Sequence, residues 1–350
     1  MPERPAGPDT RPGRARLIDV ANRAGVTKSV VSRVLNGDPT LSARDETRRR
    51  VRDAAEALGY QPHAGARALA RAQARAIALL IPDLTNPVYA RIIRGAYQRA
   101  LERGYVLLFI EDAPGRRADD MLLDLVNTGR VDGLLIASAR PGRQWQHSTE
   151  LAAVPHVFVN REVRGSHRNV TTDLAGASAV AVRHLADHGH RRIGHVAGPQ
   201  RVPSSAARRR GFLAEADRLG LASAPVAHGA FSEEGGAKAA IRLLTGHPDL
   251  TALYVSTLGQ AIGVLHAARQ CERSVPGDLS VITYDDLPLA DYLDPPLTTV
   301  AMPLQELGAA AVDALWDQLS GSPPHNVNVP AQPTVVPRQS VASPRTGHAD

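Results

Sequence analysis

The rhythm of apolar and polar positions changes twice along the chain. From Leu17 to Gly59 it is written in short amphipathic stretches separated by glycine. The stretch 17–24 is stopped by Gly25, 27–36 by Gly37, and a third, 44–58, by Gly59. A glycine just past a helix adopts the left-handed conformation at least cost, so three short helices are expected. The Thr27 hydroxyl is placed to cap the second. Val31, Val34 and Leu35 share one face of that helix and would pack on Val20 and Ala24. Lys28, Ser29, Ser32 and Arg33 lie on the opposite face. Residues 62–75 form an Ala/Arg-rich linker. Beyond it, apolar runs at 76–81, 105–110, 133–137, 156–160, 193–197, 252–256 and 280–284 read as strands. Amphipathic segments at 87–103, 117–128, 176–187, 206–219, 233–244, 258–273 and 303–319 read as helices. Strands alternating with helices predict a parallel, doubly wound α/β architecture, and the length favours two packed lobes.

Charge sharpens this division. The net charge of the 350-residue chain is +6; residues 1–75 carry 15 Lys+Arg against 8 Asp+Glu, so the basic excess sits in the head and the rest is near neutral. A basic head on a neutral body fits a nucleic-acid-binding module, although charge alone is equally met by a solvated basic tail. The spacing of the first two helices is that of a helix-turn-helix, which on spacing alone a small structural bundle would share. Its polar, cationic face has the chemistry a major-groove helix needs. Arg33 offers a paired donor for guanine, and Lys28 or Ser29 can reach a base edge. The single cysteine, Cys271, excludes an intrachain disulfide and any multi-cysteine metal centre, which suits a reducing compartment. Residues 1–16 have no apolar core of a signal peptide, and no segment reaches ~18 uninterrupted apolar residues. The expected location is therefore cytoplasmic.

The run LIDVANRAGVTKSVVSRVLNG (17–37) followed by ALGYQP (57–62) resembles the head of the lac/gal repressor (LacI–GalR) family of bacterial transcription regulators. The likeness continues through IPDLTNPVY (81–89), RVDGLLIAS (130–138), HLADHGHRRIGHVAGP (184–199), TYDDLPLADYLDPPLTTV (283–300) and GAAAVDALW (308–316). It implies an all-α helix-turn-helix head joined to a two-lobed α/β core like the periplasmic binding proteins. The implied plan is a disordered arm at 1–15, the head at 16–62, a hinge at 63–75, a core at 76–343 and a disordered tail at 344–350. Lobe one would hold 76–172 and 302–331, lobe two 173–301 and 332–343.

By the same resemblance, Thr27, Lys28, Ser29, Ser32 and Arg33 occupy recognition-helix positions, and Asn36 and Tyr60 lie near the phosphate backbone. Leu69 matches the hinge leucine that wedges between base steps, though without that register it reads as an apolar linker residue. Asp83, Asn86, Tyr89, Asn160, Arg161, Arg208, Thr257 and Asp285 match walls of the effector cleft. Loop capping is an equal reading for Asp83 and Asp286, and a solvated charge run is the alternative for Arg208 within Arg208-Arg209-Arg210. Several positions depart from the family. Val30 replaces a Thr or Ser, about two extra residues fall within 42–47, and His63 and Gly65 weaken the hinge helix. Thr257-Leu258 stands where Asn-Asp is usual, so either the ligand would lack the usual hydroxyl pattern there or the effector function has weakened.

The implied function is a homodimeric repressor that reads a palindromic operator under control of a small, sugar-like effector. No phosphate loop or nucleophile elbow is present, and His184 and His188, at metal-compatible spacing, lack the glutamate of a metalloprotease motif. No cofactor, metal or membrane partner is expected. The rival readings are a solute-binding protein, which the basic head disfavours, and an α/β enzyme, which lacks a catalytic constellation.

Overall fold

The structure, a computed structural model, describes residues 15–38, 40–60, 73–112, 118–138, 151, 153–330 and 332–345. It divides into two compact units, Met1–Ala74 and Arg75–Asp350.

The first unit is three helices, α1 (Leu17–Ala24), α2 (Lys28–Leu35) and α3 (Asp45–Ala57). Gly25, Gly37 and Gly59 follow them with φ of 63°, 67° and 58°, the left-handed stops the sequence predicts. Thr27 caps α2, its hydroxyl accepting from the Val30 amide at 3.4 Å. Val20, Ala24, Val31, Val34, Val51 and Ala54 close one small core, with Leu35 packed at its margin. The connection between α2 and α3 is held from α3: Arg48 donates to the carbonyls of Leu41 (2.6 Å) and Ala43 (3.3 Å).

The second unit carries two six-stranded sheets of like topology. The first is built from β1 (Ala76–Ile81), β2 (Val106–Glu111), β3 (Gly133–Ile136), β4 (His156–Val159), β5 (Asn169–Thr171) and β11 (Val327–Asn328), in the order β11-β5-β4-β3-β1-β2. The second is built from β6 (Ile193–Ala197), β7 (Val226–His228), β8 (Ala252–Val255), β9 (Ser280–Tyr284), β10 (Thr298–Ala301) and β12 (Thr334–Val336), in the order β12-β10-β9-β8-β6-β7. Every pairing is parallel except β10 with β12, so the all-parallel expectation is corrected at that edge. The last strand follows a short return from β11 with no helix to reverse it, and so arrives antiparallel. β1, β6 and β9 are buried along their whole length, as continuous apolar runs covered on both faces must be.

The helices are α4 (Pro87–Glu102), α5 (Ala118–Asn127), α6 (Leu174–Asp187), α7 (Pro203–Arg218), α8 (Glu233–Gly246), α9 (Leu258–Gln270) and α10 (Leu304–Leu319). Two begin earlier than their apolar pattern suggests. Asp173 caps α6 by accepting from the Gly176 amide at 2.8 Å. Pro203 opens α7, where its fixed φ suits the first turn and its missing N–H costs nothing. α9 ends before residue 273, with Cys271 at its C-cap. The strands β5, β7, β11 and β12, of two or three residues, are too short for a pattern to predict them, and β10 (TTVA) lacks a continuous apolar run. The chain passes between the sheets after β5, after β10 and between β11 and β12.

Glycine sets the spacing of the helix pairs. A Cβ on Gly95 (α4) would collide with the Gln305 carbonyl of α10, and one on Gly308 (α10) with the Ile92 carbonyl of α4. The same reciprocal contact joins Gly236 of α8 to Gln260 of α9 and Gly263 of α9 to Glu233 of α8. In an ordinary helix, Gly→Ala gains about 1 kcal/mol of propensity. Here Gly308→Ala is expected to lose about 1–3 kcal/mol to overpacking. Gly246→Ala, with open space around it, should leave stability unchanged or raise it. Thermal unfolding of the two variants checks the contrast: Gly308→Ala melts several degrees below the parent and Gly246→Ala does not.

Candidate functional site

In the first unit, α2 presents Lys28 and Ser29 to solvent, with Ser32 and Arg33 half-buried beside them. Ser32 accepts from Asn36 Nδ2 at 3.3 Å, and Asn36 is the C-cap of the helix. Tyr60 packs on the margin of the small core. Arg33 is not a loose surface cation. Its Nε donates to Asp38 Oδ2 at 2.6 Å and its Nη2 to Thr40 Oγ1 at 2.9 Å. The guanidinium beside Asp38, with the Thr40 hydroxyl and amide, holds that carboxyl down at about 2. The sequence reading missed this pairing. Leu69 and residues 63–72 of the expected hinge lie outside the described residues.

In the second unit, both sheets have the strand order in which neighbouring connections leave in opposite directions beside β1 and β6. Ligands bind at the carboxyl ends of strands at such switch points. Asp83 and Asn86 follow β1, Asn160 and Arg161 follow β4, Thr257 follows β8 and Asp285 follows β9. A cavity of about 110 Å³ lies among Asp83, Asn86, Thr257 and Asp285, and a second of about 180 Å³ among Asn160, Arg161, Asp173 and Arg210. Both are below the ~300–1,000 Å³ of ordinary drug-sized ligand pockets. A larger cavity of about 600 Å³ lies at the opposite strand ends, around His190, Thr251 and Asp278. Its polar lining is consumed internally: His190 bonds Thr251 and Ala342, while Arg273 bonds the Pro248, Leu250 and Asp278 carbonyls.

The centre of the cleft is a buried charge cluster. Asp285 is fully buried and neither carboxylate oxygen has a hydrogen-bond partner. Burial pushes its carboxyl up to about 7, against the pull of Arg208. Its φ of 75° is left-handed, as is that of Asn160 (56°) at the matching end of β4; strain of this kind collects at functional positions. Arg208 is buried on the inner face of α7 while Arg210 is exposed, so it is not part of a solvated charge run. Its guanidinium lies 4.0 Å over the Tyr284 ring, and its Nε is unpartnered. Tyr284, missed in the sequence, belongs to an aromatic group in which His195 stacks on Tyr254 at 4.6 Å and on Phe212 at 4.9 Å. Burial drops the His195 imidazole to about 3, so it packs as a neutral plate. Burial also raises the Tyr89 hydroxyl to about 12.

On the lobe-one side, Arg161 is buried over the Phe158 ring, donates to the Ser138 carbonyl and leaves its Nε unpartnered. Burial lowers it to about 10. Ser138 in turn donates to the buried Asp112.

Three expected wall residues are partly spent on the fold. Asp83 Oδ1 accepts from the Thr85 amide (2.8 Å) and hydroxyl (2.6 Å), the loop-capping alternative. Asn86 caps α4 by accepting from the Val88 amide at 3.1 Å, which leaves its NH₂ to donate. Thr257 caps α9: its hydroxyl accepts from the Gln260 amide at 3.2 Å and donates to Gln260 Oε1 at 3.3 Å. A hydroxyl has one hydrogen, so toward a ligand Thr257 can only accept. Leu258 packs in the core and also lines the cavity beside Thr257 and Asp285. Asp286 points away from the cleft, to Arg338 at 2.9 Å. Among the described residues no group of three or more His, Cys, Asp or Glu could hold a metal ion, and no helix is long and apolar enough to cross a membrane.

Residues 16–63 match the model for bacterial regulatory proteins of the lacI family, and 182–341 match that for a periplasmic binding protein-like domain. The transcriptional repressor CytR of Escherichia coli is 34% identical over 310 residues, covering 88% of this chain and 90% of that protein. The transcriptional regulator MalR of Streptomyces coelicolor is 34% identical over 342 residues, covering 94% and 97%. Among solved structures, the lac repressor dimer bound to operator and an anti-inducer superposes with a TM-score of 0.83 at 26% identity, covering 94% of this chain and all of that one. With a helix-turn-helix head, a two-sheet core of this topology and relatives of this identity along nearly its whole length, the chain belongs to the lacI family of bacterial regulatory proteins.

Proposed function

We propose that the protein is a transcriptional repressor that reads a palindromic operator as a homodimer, with operator affinity set by a small polyhydroxylated effector, a sugar or related metabolite, between its lobes. The observation that carries the effector reading is the unpartnered Asp285 carboxylate, buried with unpartnered Arg208 and Arg161 Nε atoms. Buried polar atoms are almost always satisfied, and a cluster that is not points to a ligand that supplies the partners. Hydroxyls suit it, donating to Asp285 and accepting from the two arginines. On the DNA side, Lys28, Ser29, Ser32 and Arg33 would face the major groove from α2, with Thr27, Asn36 and Tyr60 near the phosphates. Leu69 would act in the minor groove. A ligand that binds one lobe arrangement better shifts the population toward it, and operator and effector then affect each other reciprocally.

Self-association is supported by the edge of the first sheet. β2 is an edge strand, and Val106 and Phe109 on it are 61% and 46% exposed; Tyr97 and Leu101 on α4 are 51% and 62% exposed. An exposed apolar edge is a liability unless a partner covers it. Leu101→Glu with Val106→Lys is expected to shift the protein from dimer to monomer in sedimentation velocity. An unchanged dimer would remove this edge from the interface.

Selection from a pool of duplexes with a randomised core should return a two-fold symmetric site with the wild-type protein. Arg33→Ala should flatten one guanine position in each half-site, by about 1–3 kcal/mol of discrimination. Recovery of no sequence at all, or binding insensitive to salt, would overturn the DNA-reading function.

Asp285 gives the effector site a pH signature. Its folded-state value near 7 lies above the ordinary 3.8, so the folded protein holds the proton longer than the unfolded chain. Stability from this group is full below pH 4 and is lost as pH rises toward 7. Asp285→Asn should therefore raise the melting temperature of the ligand-free protein above pH 7, with the gain vanishing near pH 4. The same variant should bind DNA normally and lose the stabilisation that a panel of mono- and disaccharides gives the wild type. A melting difference independent of pH would refute the assignment of a strained, ionised carboxylate.

A further inference from the structure

Arg33 closes a ring with two residues beyond the end of its helix. Arg33 Nε donates to Asp38 Oδ2 (2.6 Å), Arg33 Nη2 donates to Thr40 Oγ1 (2.9 Å), and Thr40 Oγ1 donates to Asp38 Oδ1 (2.7 Å). The ring is fastened to the backbone at two points. The Thr40 amide donates to Asp38 Oδ1 at 2.8 Å, and the Asp38 amide donates to the Arg33 carbonyl at 3.0 Å.

A guanidinium carries five N–H donors in a fixed plane. The ring takes the Nε hydrogen and one Nη2 hydrogen. The terminal edge, Nη1 with the second Nη2 hydrogen, is left, and no described residue accepts from Nη1. That edge is the fork that pairs with O6 and N7 of guanine. The Arg33 side chain is 41% exposed and Asp38 28%, so the ring sits at the surface.

We propose that Asp38 and Thr40 are specificity-determining positioning residues that hold the Arg33 fork end-on for one guanine of each half-site. The proposal rests on the DNA-reading function above. A carboxylate on a DNA-facing surface repels phosphate, so it lowers affinity for DNA in general. It is useful there only if it raises discrimination. A free arginine has many rotamers and pairs with phosphate or several bases; one held in plane loses less freedom when it meets guanine. The connection that carries Asp38 and Thr40 is itself tied down by Arg48, so the ring is built on a fixed loop.

The test is selection of full-length protein on duplexes with a randomised core, beside binding to a single non-selected duplex. Asp38→Asn keeps size and removes the charge; Thr40→Val keeps shape and removes the hydroxyl. In both, preference for guanine at the position that Arg33→Ala flattens should fall, by about tenfold for Asp38→Asn. Affinity of Asp38→Asn for the non-selected duplex should hold or rise. A merely structural role predicts the reverse pattern, with both affinities falling together and the selected sequence unchanged. An unaltered guanine column in both variants overturns the positioning role. So does a sharper column in Asp38→Asn, which would make the ring a lock that DNA must break. If the wild type selects no sequence, the DNA-reading function itself has failed.

Discussion

A carboxylate buried without a partner is among the most expensive things a protein core can hold, and the core of this molecule is arranged around one. An ionised group taken out of water costs several kcal/mol unless charges and hydrogen bonds answer it. Asp285 has Arg208 near enough to matter electrostatically, yet neither oxygen is hydrogen-bonded and its backbone is left-handed. Such a residue persists only where its surroundings leave it no alternative. The aromatic group of His195, Phe212, Tyr254 and Tyr284 supplies one wall, and the α8·α9 pair, locked at glycine contact distance, supports the strand beside it. A partner that supplied the missing donors would recover the stability lost at the cleft.

The loop that carries Asp285 is governed from a distance in sequence. Arg338, after the last strand, donates to Asp286 (2.9 Å), Asp291 (2.5 Å), Thr299 Oγ1 (2.9 Å) and the Leu297 carbonyl (3.0 Å). The chain reaches Arg338 directly from the third passage between the sheets. Arg338 thus links the last passage between the sheets to the residue beside Asp285. The same bonds spend Asp286, the neighbour in an Asp-Asp pair, on structure, while the Asp285 carboxylate stays unpartnered.

What was legible in the sequence follows from how strongly each feature is overdetermined. β1, β6 and β9 match their apolar runs residue for residue because both faces are buried and nothing competes. The three head helices end at their glycines because φ near +60° excludes most alternatives. β5, β7, β11 and β12 left no trace, since two or three residues cannot show a period, and β10 opens on two threonines and so lacks an apolar run. The candidate cleft positions were legible as residue types, but types carry no direction. Asp83, Asn86 and Thr257 are as well suited to capping a helix or turn as to holding a ligand, and each does the former with part of its capacity. Arg33 and Asp38 failed to pair on paper because five residues separate them across a helix end, where helical spacing rules no longer apply.

Arg33 and Arg208 solve one problem in opposite media. Each is held by the protein at part of its guanidinium and has capacity left over: the terminal edge of Arg33, the Nε of Arg208. Pre-ordering a flexible cation in this way reduces the entropy lost on binding. Arg33 is held at the surface by a carboxylate and a hydroxyl, where salt screens its attraction to DNA within about 10 Å at 0.1 M. Arg208 is held in the interior by an aromatic face, where screening barely reaches. The two ends of the molecule should therefore answer differently to ionic strength, with the basic head losing its grip as salt rises while the cleft does not. A difference of that kind separates the energetics of the head, which meets a screened polyanion, from those of the buried cluster around Arg208.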